Sequence, residues 1–271
     1  MFWELLRQAR SWVPDIVKEW NPLRITALPT HLLMYVVSPW SDTFIPNPNF
    51  NPDAEDISTI YCLHGVVDRA GAFYFIVDLL QKRLPENIKG INLPVFEDRL
   101  EGISNEDYAY QLLMKINNNE DSDVILMGHS RGAIISSWFT ENLAHENQID
   151  VRQVVAICGP FRGSYAANYV PGFFSTSINE IKTDTKFLVE LSKQICKSKT
   201  KYMFIGAEED QLLMSDAWIP YNYPRDTKNC FYLDRHTHLS IMTSHRIVDA
   251  IVSVLEECGN TLKKAIGCLP C

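Results

Sequence analysis

From residue 58 onward the chain alternates between two kinds of segment, and this restricts its fold more than any other feature. Short runs rich in β-branched and aromatic residues read as strands: "STIYCLHG" (58–65), "GINLPVF" (90–96), "DVILMG" (123–128), "VRQVVAICG" (151–159), "KYMFIGA" (201–207) and "NCFYLD" (229–234). Between and after them, 72–84, 105–116, 132–146 and 240–257 have helical spacing. The last of these carries Ile241, Ile247, Val248, Ile251, Val252 and Leu255 on one face. Strands alternating with helices predict an α/β fold, a mostly parallel central sheet with helices on both faces. Pro94 places its strand at an edge or near the strand's end. Ser104 or Asn105 is the expected cap of the helix at 105–116.

Outside this frame the pattern changes. Residues 1–57 are expected to hold an N-terminal helix and a loop that pack on the core. Residues 2–20 have amphipathic spacing (Phe2, Leu5, Leu6, Ala9, Trp12, Val13, Ile16), "HLLMYVVS" at 31–38 reads as a strand, and the proline-rich 38–56 as a loop. The α/β domain spans 58–257. Within it, about 160–200 loosens into a Ser/Asn-rich and then helical stretch, expected to be a cap or lid inserted over the carboxyl edge of the sheet, where open α/β sheets bind ligands. Its Phe161, Tyr165, Tyr169, Phe173, Phe174, Phe187 and Leu188 are candidates to line an apolar pocket. Residues 258–271 form a tail ending in Cys268-Leu-Pro-Cys271 behind Lys263 and Lys264. This register resembles a prenylation box, but its proline and terminal cysteine fit that signal poorly. A frayed tail is the expectation. Lipidation at Cys258, Cys268 or Cys271 and disulfide or metal chemistry of the final pair are the alternatives.

A net charge of −8 and the lack of a basic stripe argue against nucleic acid as a partner. With 46% hydrophobic residues the 271-residue chain has ample material for a core. Seven scattered cysteines, two of them (Cys62 and Cys158) inside strand-like runs, suit buried free thiols in a reducing compartment. The N-terminus lacks the pattern of a signal peptide, and no run reaches the ~18 apolar residues of a membrane span. A soluble, cytoplasmic protein is expected where the chain is made, with export by a signal-independent route left open. Peripheral membrane contact through the N-terminal helix or the C-terminal cysteines is a minor alternative.

Chemistry concentrates at Gly128-His129-Ser130-Arg131-Gly132, between the strand 123–128 and the helix 132–146. A serine on so tight a strand-to-helix turn is strained, and side chains at 128 or 132 would crowd their neighbours. Ser130 is thus a candidate nucleophile, with the amide of Arg131, at the helix N-terminus, a candidate oxyanion donor. A serine hydroxyl needs a base. His238 follows the strand 229–234, and Asp210 follows 201–207, so both fall at the same sheet edge as Ser130. Glu209 and Glu208 rival Asp210 as the acid. His236 shares a face with His238 on an extended segment, but a zinc reading of the two lacks a third ligand of suitable spacing. His245 falls in the closing helix and reads as structural. His64-Gly65, directly after the strand 58–65, lets the amide of Val66 serve as second oxyanion donor. No cofactor and no metal site is expected.

"LHGVVDRAG", "LMGHSRGAI", "FIGAEEDQLL" and "THLSI", in this order, resemble the α/β-hydrolase superfamily over about 58–257. "AICGPFRGSYAA" is similar to the "TPHxGS" stretch of bacterial-type lipases and esterases, with "GPF" in place of "TPH". "GAEED" is one residue longer than the commonest spacing between glycine and acid. The resemblance implies a serine hydrolase of the carboxylesterase/lipase-like kind. Ser130, Asp210 and His238 would be nucleophile, acid and base, Val66 and Arg131 the oxyanion donors, and a small-molecule ester or acyl compound the substrate. A thioesterase or acyltransferase with the same residues, or a non-catalytic binding protein of the same fold, are the alternatives.

Overall fold

Burial along each strand tells where it lies. In the computed structural model, which describes residues 23–66, 68–96, 102–225 and 228–266, β2 (Ser58–Leu63) is buried at every position. β4 (Asp123–His129) and β6 (Lys201–Ala207) are buried at all positions after the first. Such strands need cover on both faces, as parallel strands have. β1 (Thr43–Pro46), by contrast, alternates between half-buried and exposed, and three of the four residues of β7 (Cys230–Leu233) are incompletely buried. These are the edges. With β3 (Ile88–Leu93) and β5 (Asp150–Ile157) the sheet has seven strands in the order β1-β3-β2-β4-β5-β6-β7, parallel except for β1.

Helices cover it in two groups. α1 (Leu23–Val37) leads into the sheet, and α2 (Tyr74–Leu80) packs with the long α8 (His245–Ile266). α3 (Asn105–Asn118) packs on α4 (Arg131–Phe139), with α7 (Lys186–Ile195) beside α4. α3 opens with a reciprocal cap, Ser104 and Asp107 each satisfying the other's backbone amide. α4 is buried at eight of nine positions. Its Ser136 and Ser137 hydroxyls therefore donate back to the carbonyls of Gly132 and Ala133, at 2.8 Å each.

Two expectations in the N-terminal part need correction. Residues 31–38 are helical up to Val37. Their Tyr-Val-Val run suggests a strand, but His31, Met34, Tyr35 and Ser38 turn inward with a period of three to four residues, and tertiary packing selects the helix. The loop 38–56 contains β1, which the sheet recruits as an antiparallel edge, with Pro46 at the strand end where no ladder donor is needed. The strand expected to include Pro94 is β3, which ends at Leu93, just before the proline, and lies between β1 and β2 rather than at an edge. The amphipathic segment 2–20 and Cys268 and Cys271 lie outside the described residues. Among the described residues, no helix is long and apolar enough to cross a membrane.

The register aligns the strand ends. Leu63 pairs with Gly128, His129 with Ile157, and Ile157 with Ile205. Whatever follows these residues meets at one edge. β3 lies to one side of β2 and β4 to the other, so this edge includes the point where the winding direction switches, the usual ligand crevice of such sheets.

Candidate active site

Ser130 occupies that crevice in a conformation that side chains rarely adopt, φ 55° and ψ −124°. Such a residue costs on the order of 1–3 kcal/mol and persists only where its surroundings impose it. Here the imposing contacts are steric. A Cβ at Gly132 would sit 2.0 Å from the Leu63 carbonyl oxygen, and one at Gly128 would sit 2.4 Å from the Ala133 nitrogen. Only glycine allows β2, β4 and α4 to approach so closely. The Ser130 amide is anchored on the Ile157 carbonyl at 2.8 Å.

Asp210 and His238 meet as the strand ends require. His238 Nδ1 donates to Asp210 Oδ2 at 2.7 Å, with both side chains almost fully buried. The other carboxylate oxygen accepts from the amides of Leu212 and Leu213 at 2.9 and 3.0 Å. Burial pushes the Asp210 carboxyl up. The hydrogen bond and charge of His238, with these two amides, more than offset that and hold it below its ordinary value. With Asp210 ionised, the His238 proton belongs on Nδ1 and Nε2 is left to accept. Of the rival acids, Glu208 turns its carboxylate to the Arg235 amide, and the Glu209 backbone amide bonds the His236 carbonyl. His236 donates from Nδ1 to the Asp234 carbonyl at 2.7 Å and takes no part in the Asp210 pair. His245 begins α8.

Ser130 and His238 line one cavity of about 260 Å³, together with Gly65 and Val66. A Cβ built on Gly65 would lie 3.0 Å from that of Ser130, so the loop after β2 passes directly beside the serine. The rest of the wall is chiefly aliphatic: Val170, Ile178 and Ile181 come from the 160–200 stretch, and Leu212, Leu213 and Leu239 from the loops carrying Asp210 and His238. None of the aromatic candidates of that stretch lines it. Phe161 is fully buried edge-on against Phe204, while Tyr165, Tyr169, Phe173 and Phe174 are exposed. An irregular segment has no periodicity from which to read its inner face. Its short helices α5 (Tyr165–Asn168) and α6 (Thr176–Glu180) border the cavity, whereas α7 packs beside α4. Ser164 ties this segment to the acid loop by donating to the Leu212 carbonyl at 2.8 Å.

The Arg131 side chain turns away from this cavity. Its guanidinium stacks over the Tyr108 ring at 4.2 Å, and Nη1 donates to Ser177 Oγ at 3.1 Å. Burial pulls its pKa down, with Tyr108 partly opposing. Two more residues belong to the site and were not legible in the sequence. His129 Nε2 donates to the His238 carbonyl at 3.0 Å, tying the nucleophile strand to the base loop. Burial and the neighbouring His238 depress its pKa to about 3, so the ring is neutral. Cys158, fully buried at the end of β5, also has a positive φ, 48°.

No family model and no curated protein matches the sequence. Solved structures do match in shape. A monoacylglycerol lipase of Paleococcus ferrophilus shares 12% identity over 80% of this chain and 98% of its own, with a TM-score of 0.59. For one of two metagenome-derived lipolytic enzymes the values are 10%, 80%, 97% and 0.57. For an ancestral haloalkane dehalogenase they are 10%, 80%, 96% and 0.57. Sheet order, strand-end register and these likenesses agree: the chain has the α/β-hydrolase fold.

Proposed function

We propose that the protein is a serine hydrolase of carboxylic esters. The observation that carries this is the 2.7 Å bond between His238 and Asp210, in a cavity wall shared with the strained Ser130. In the proposed cycle, His238 Nε2 takes the Ser130 proton as Oγ attacks the ester carbonyl. The Val66 and Arg131 amides receive the oxyanion. His238 then protonates the leaving alcohol, and an acyl group remains on Ser130. Water, deprotonated by His238, releases the acid and restores the serine. Asp210 keeps the ring in the tautomer this needs and stabilises the imidazolium. The haloalkane dehalogenase likeness is a reminder that the fold alone does not choose the chemistry. The lipolytic likenesses favour acyl substrates.

The cavity suits a compact acyl chain. Its 260 Å³ lies below the roughly 300–1,000 Å³ of common ligand pockets, and its wall is mostly aliphatic. Hydrolysis of p-nitrophenyl esters from acetate to palmitate, with Ser130→Ala as control, tests both parts. Short and medium chains should be preferred, and the variant should lose turnover and labelling by a fluorophosphonate. Full labelling of Ser130→Ala sinks the nucleophile assignment. A flat chain-length profile sinks the acyl-pocket reading.

A further inference from the structure

The proposed cycle leaves the buried thiol of Cys158, at the strand-end edge that holds Ser130, unused. Cys158 follows β5 as Ser130 follows β4, and its backbone amide bonds the Ile205 carbonyl at 2.8 Å. Its positive φ turns the chain at the strand end, beside the loop that leaves β6 with Asp210. As a result Cys158 Sγ, a carboxylate oxygen of Asp210 and a ring nitrogen of His238 all lie within 4.8 Å of one another, and it is Nδ1 that bonds Asp210. A thiolate, a carboxylate and an imidazole nitrogen form a zinc donor set, and the mixture of sulfur and nitrogen disfavours magnesium or calcium.

We propose that these three side chains form an inhibitory site for Zn²⁺ or a similar borderline divalent cation. Inhibition, though not binding, rests on the hydrolase reading above. Bonds of about 2.0–2.3 Å in a tetrahedron set neighbouring ligand atoms roughly 3.3–3.8 Å apart. The Asp210–His238 contact at 2.7 Å therefore widens by roughly 0.6–0.8 Å to admit the ion. Water from the cavity lined by His238 completes the fourth position. Binding releases the Cys158 thiol proton to solvent. The His238 proton leaves Nδ1 for the metal to take its place, and the ring assumes the tautomer protonated on Nε2. That nitrogen then has no lone pair for the Ser130 proton, so an occupied site and turnover exclude each other. His236 is no ligand here, and the donors the local spacing lacked come from two other strand ends.

Co²⁺ serves as the spectroscopic probe on the full-length protein, wild type and Ser130→Ala. Both should bind one equivalent with a thiolate-to-cobalt charge-transfer band and tetrahedral visible bands, displaced by Zn²⁺. The band should vanish in Cys158→Ser and in Asp210→Asn, the second variant covering the case that the first does not fold. Zn²⁺ should inhibit wild-type esterase reversibly on addition of EDTA. The half-inhibiting concentration, relative to each protein's own zinc-free rate, should rise at least about tenfold in Cys158→Ser, as ligand loss costs no less than loss of a ligand's outer partner. No thiolate band in folded wild type overturns the proposal, and so does an undiminished band in Cys158→Ser, which would place the ion on another cysteine. A Cys158-dependent band without any esterase activity keeps the cation site and removes the hydrolase reading. Ser130-dependent esterase activity without the band does the reverse.

Discussion

The two ends of the sheet solve the burial of polar groups in opposite ways. At the amino edge half-buried charges are paired. Asp121 accepts from Thr59, Tyr61 and Lys89 at 2.8–2.9 Å, and Arg152 bridges Asp123 and Asp56 at 2.6 and 3.0 Å. At the carboxyl edge, Nε and Nη2 of Arg131 and Nδ1 of His129 are buried without a hydrogen-bond partner among the described residues. Ser130 follows β4 there with φ 55° and ψ −124°, a conformation side chains rarely adopt. Saturated networks stabilise, whereas unsatisfied groups and strain cost stability and survive where something else needs them. The amino edge holds the sheet together. The carboxyl edge keeps its polar groups available.

The sharpest way to break this contrast is to change one residue at each edge. Asp210→Asn should lower kcat by about 10⁴-fold through the wrong His238 tautomer, measured on a p-nitrophenyl ester. Next comes Gly132→Ala, whose Cβ meets the Leu63 carbonyl. A loss of roughly 3 kcal/mol or more in urea unfolding is expected, since the obstacle is backbone. At the amino edge Asp121→Ala should cost about 2 kcal/mol by removing the acceptor of the Tyr61 and Thr59 hydroxyls, and leave kcat within about twofold. If it instead abolished turnover at unchanged stability, the division of labour between the edges would be wrong. Arg131→Met should unfold no earlier than wild type and up to about 1–2 kcal/mol later, because among the described residues no carboxylate pairs with this buried cation.

The remaining effect concerns acid. His129 titrates near 3 when folded and near its ordinary value when unfolded. Between these values the unfolded chain binds a proton that the folded one refuses, so stability falls with falling pH by about 1.4 kcal/mol per unit from this group. Asp210 adds a loss of the same sign: its carboxyl is depressed in the fold, and the stability it supplies above its unfolded pKa disappears as pH falls through the folded one. In His129→Gln the decline of stability below neutrality should be shallower in denaturant titrations. An identical slope would show that His129 is not the group that titrates.

How much of this was legible depended on whether the signal was local. β2, β4, β5 and β6 read directly, because strands buried on both faces are continuous apolar runs, and α3 read from its cap box and periodicity. The helix at 23–37 and edge strand β1 did not, because a short apolar run fits either period and an edge strand is defined by the neighbour it joins. Asp210 could be separated from Glu208 and Glu209 only by the turn of one loop. The aliphatic wall of the cavity lay in segments without a period.

The sequence by itself determined the strand–turn–helix around Ser130, since two glycines flanking a serine between an apolar run and a helix leave the backbone almost no other conformation. It also placed Asp210 and His238 just past later strands. Tertiary structure alone decided which carboxylate His238 holds, that His129 anchors the His238 loop, that the Arg131 guanidinium faces Tyr108, and that Cys158 stands beside the Asp210–His238 pair. The reason is physical. A strained turn is built from residues adjacent in the chain, whereas these contacts join residues from different strand ends, which only the register of the sheet brings within bonding distance.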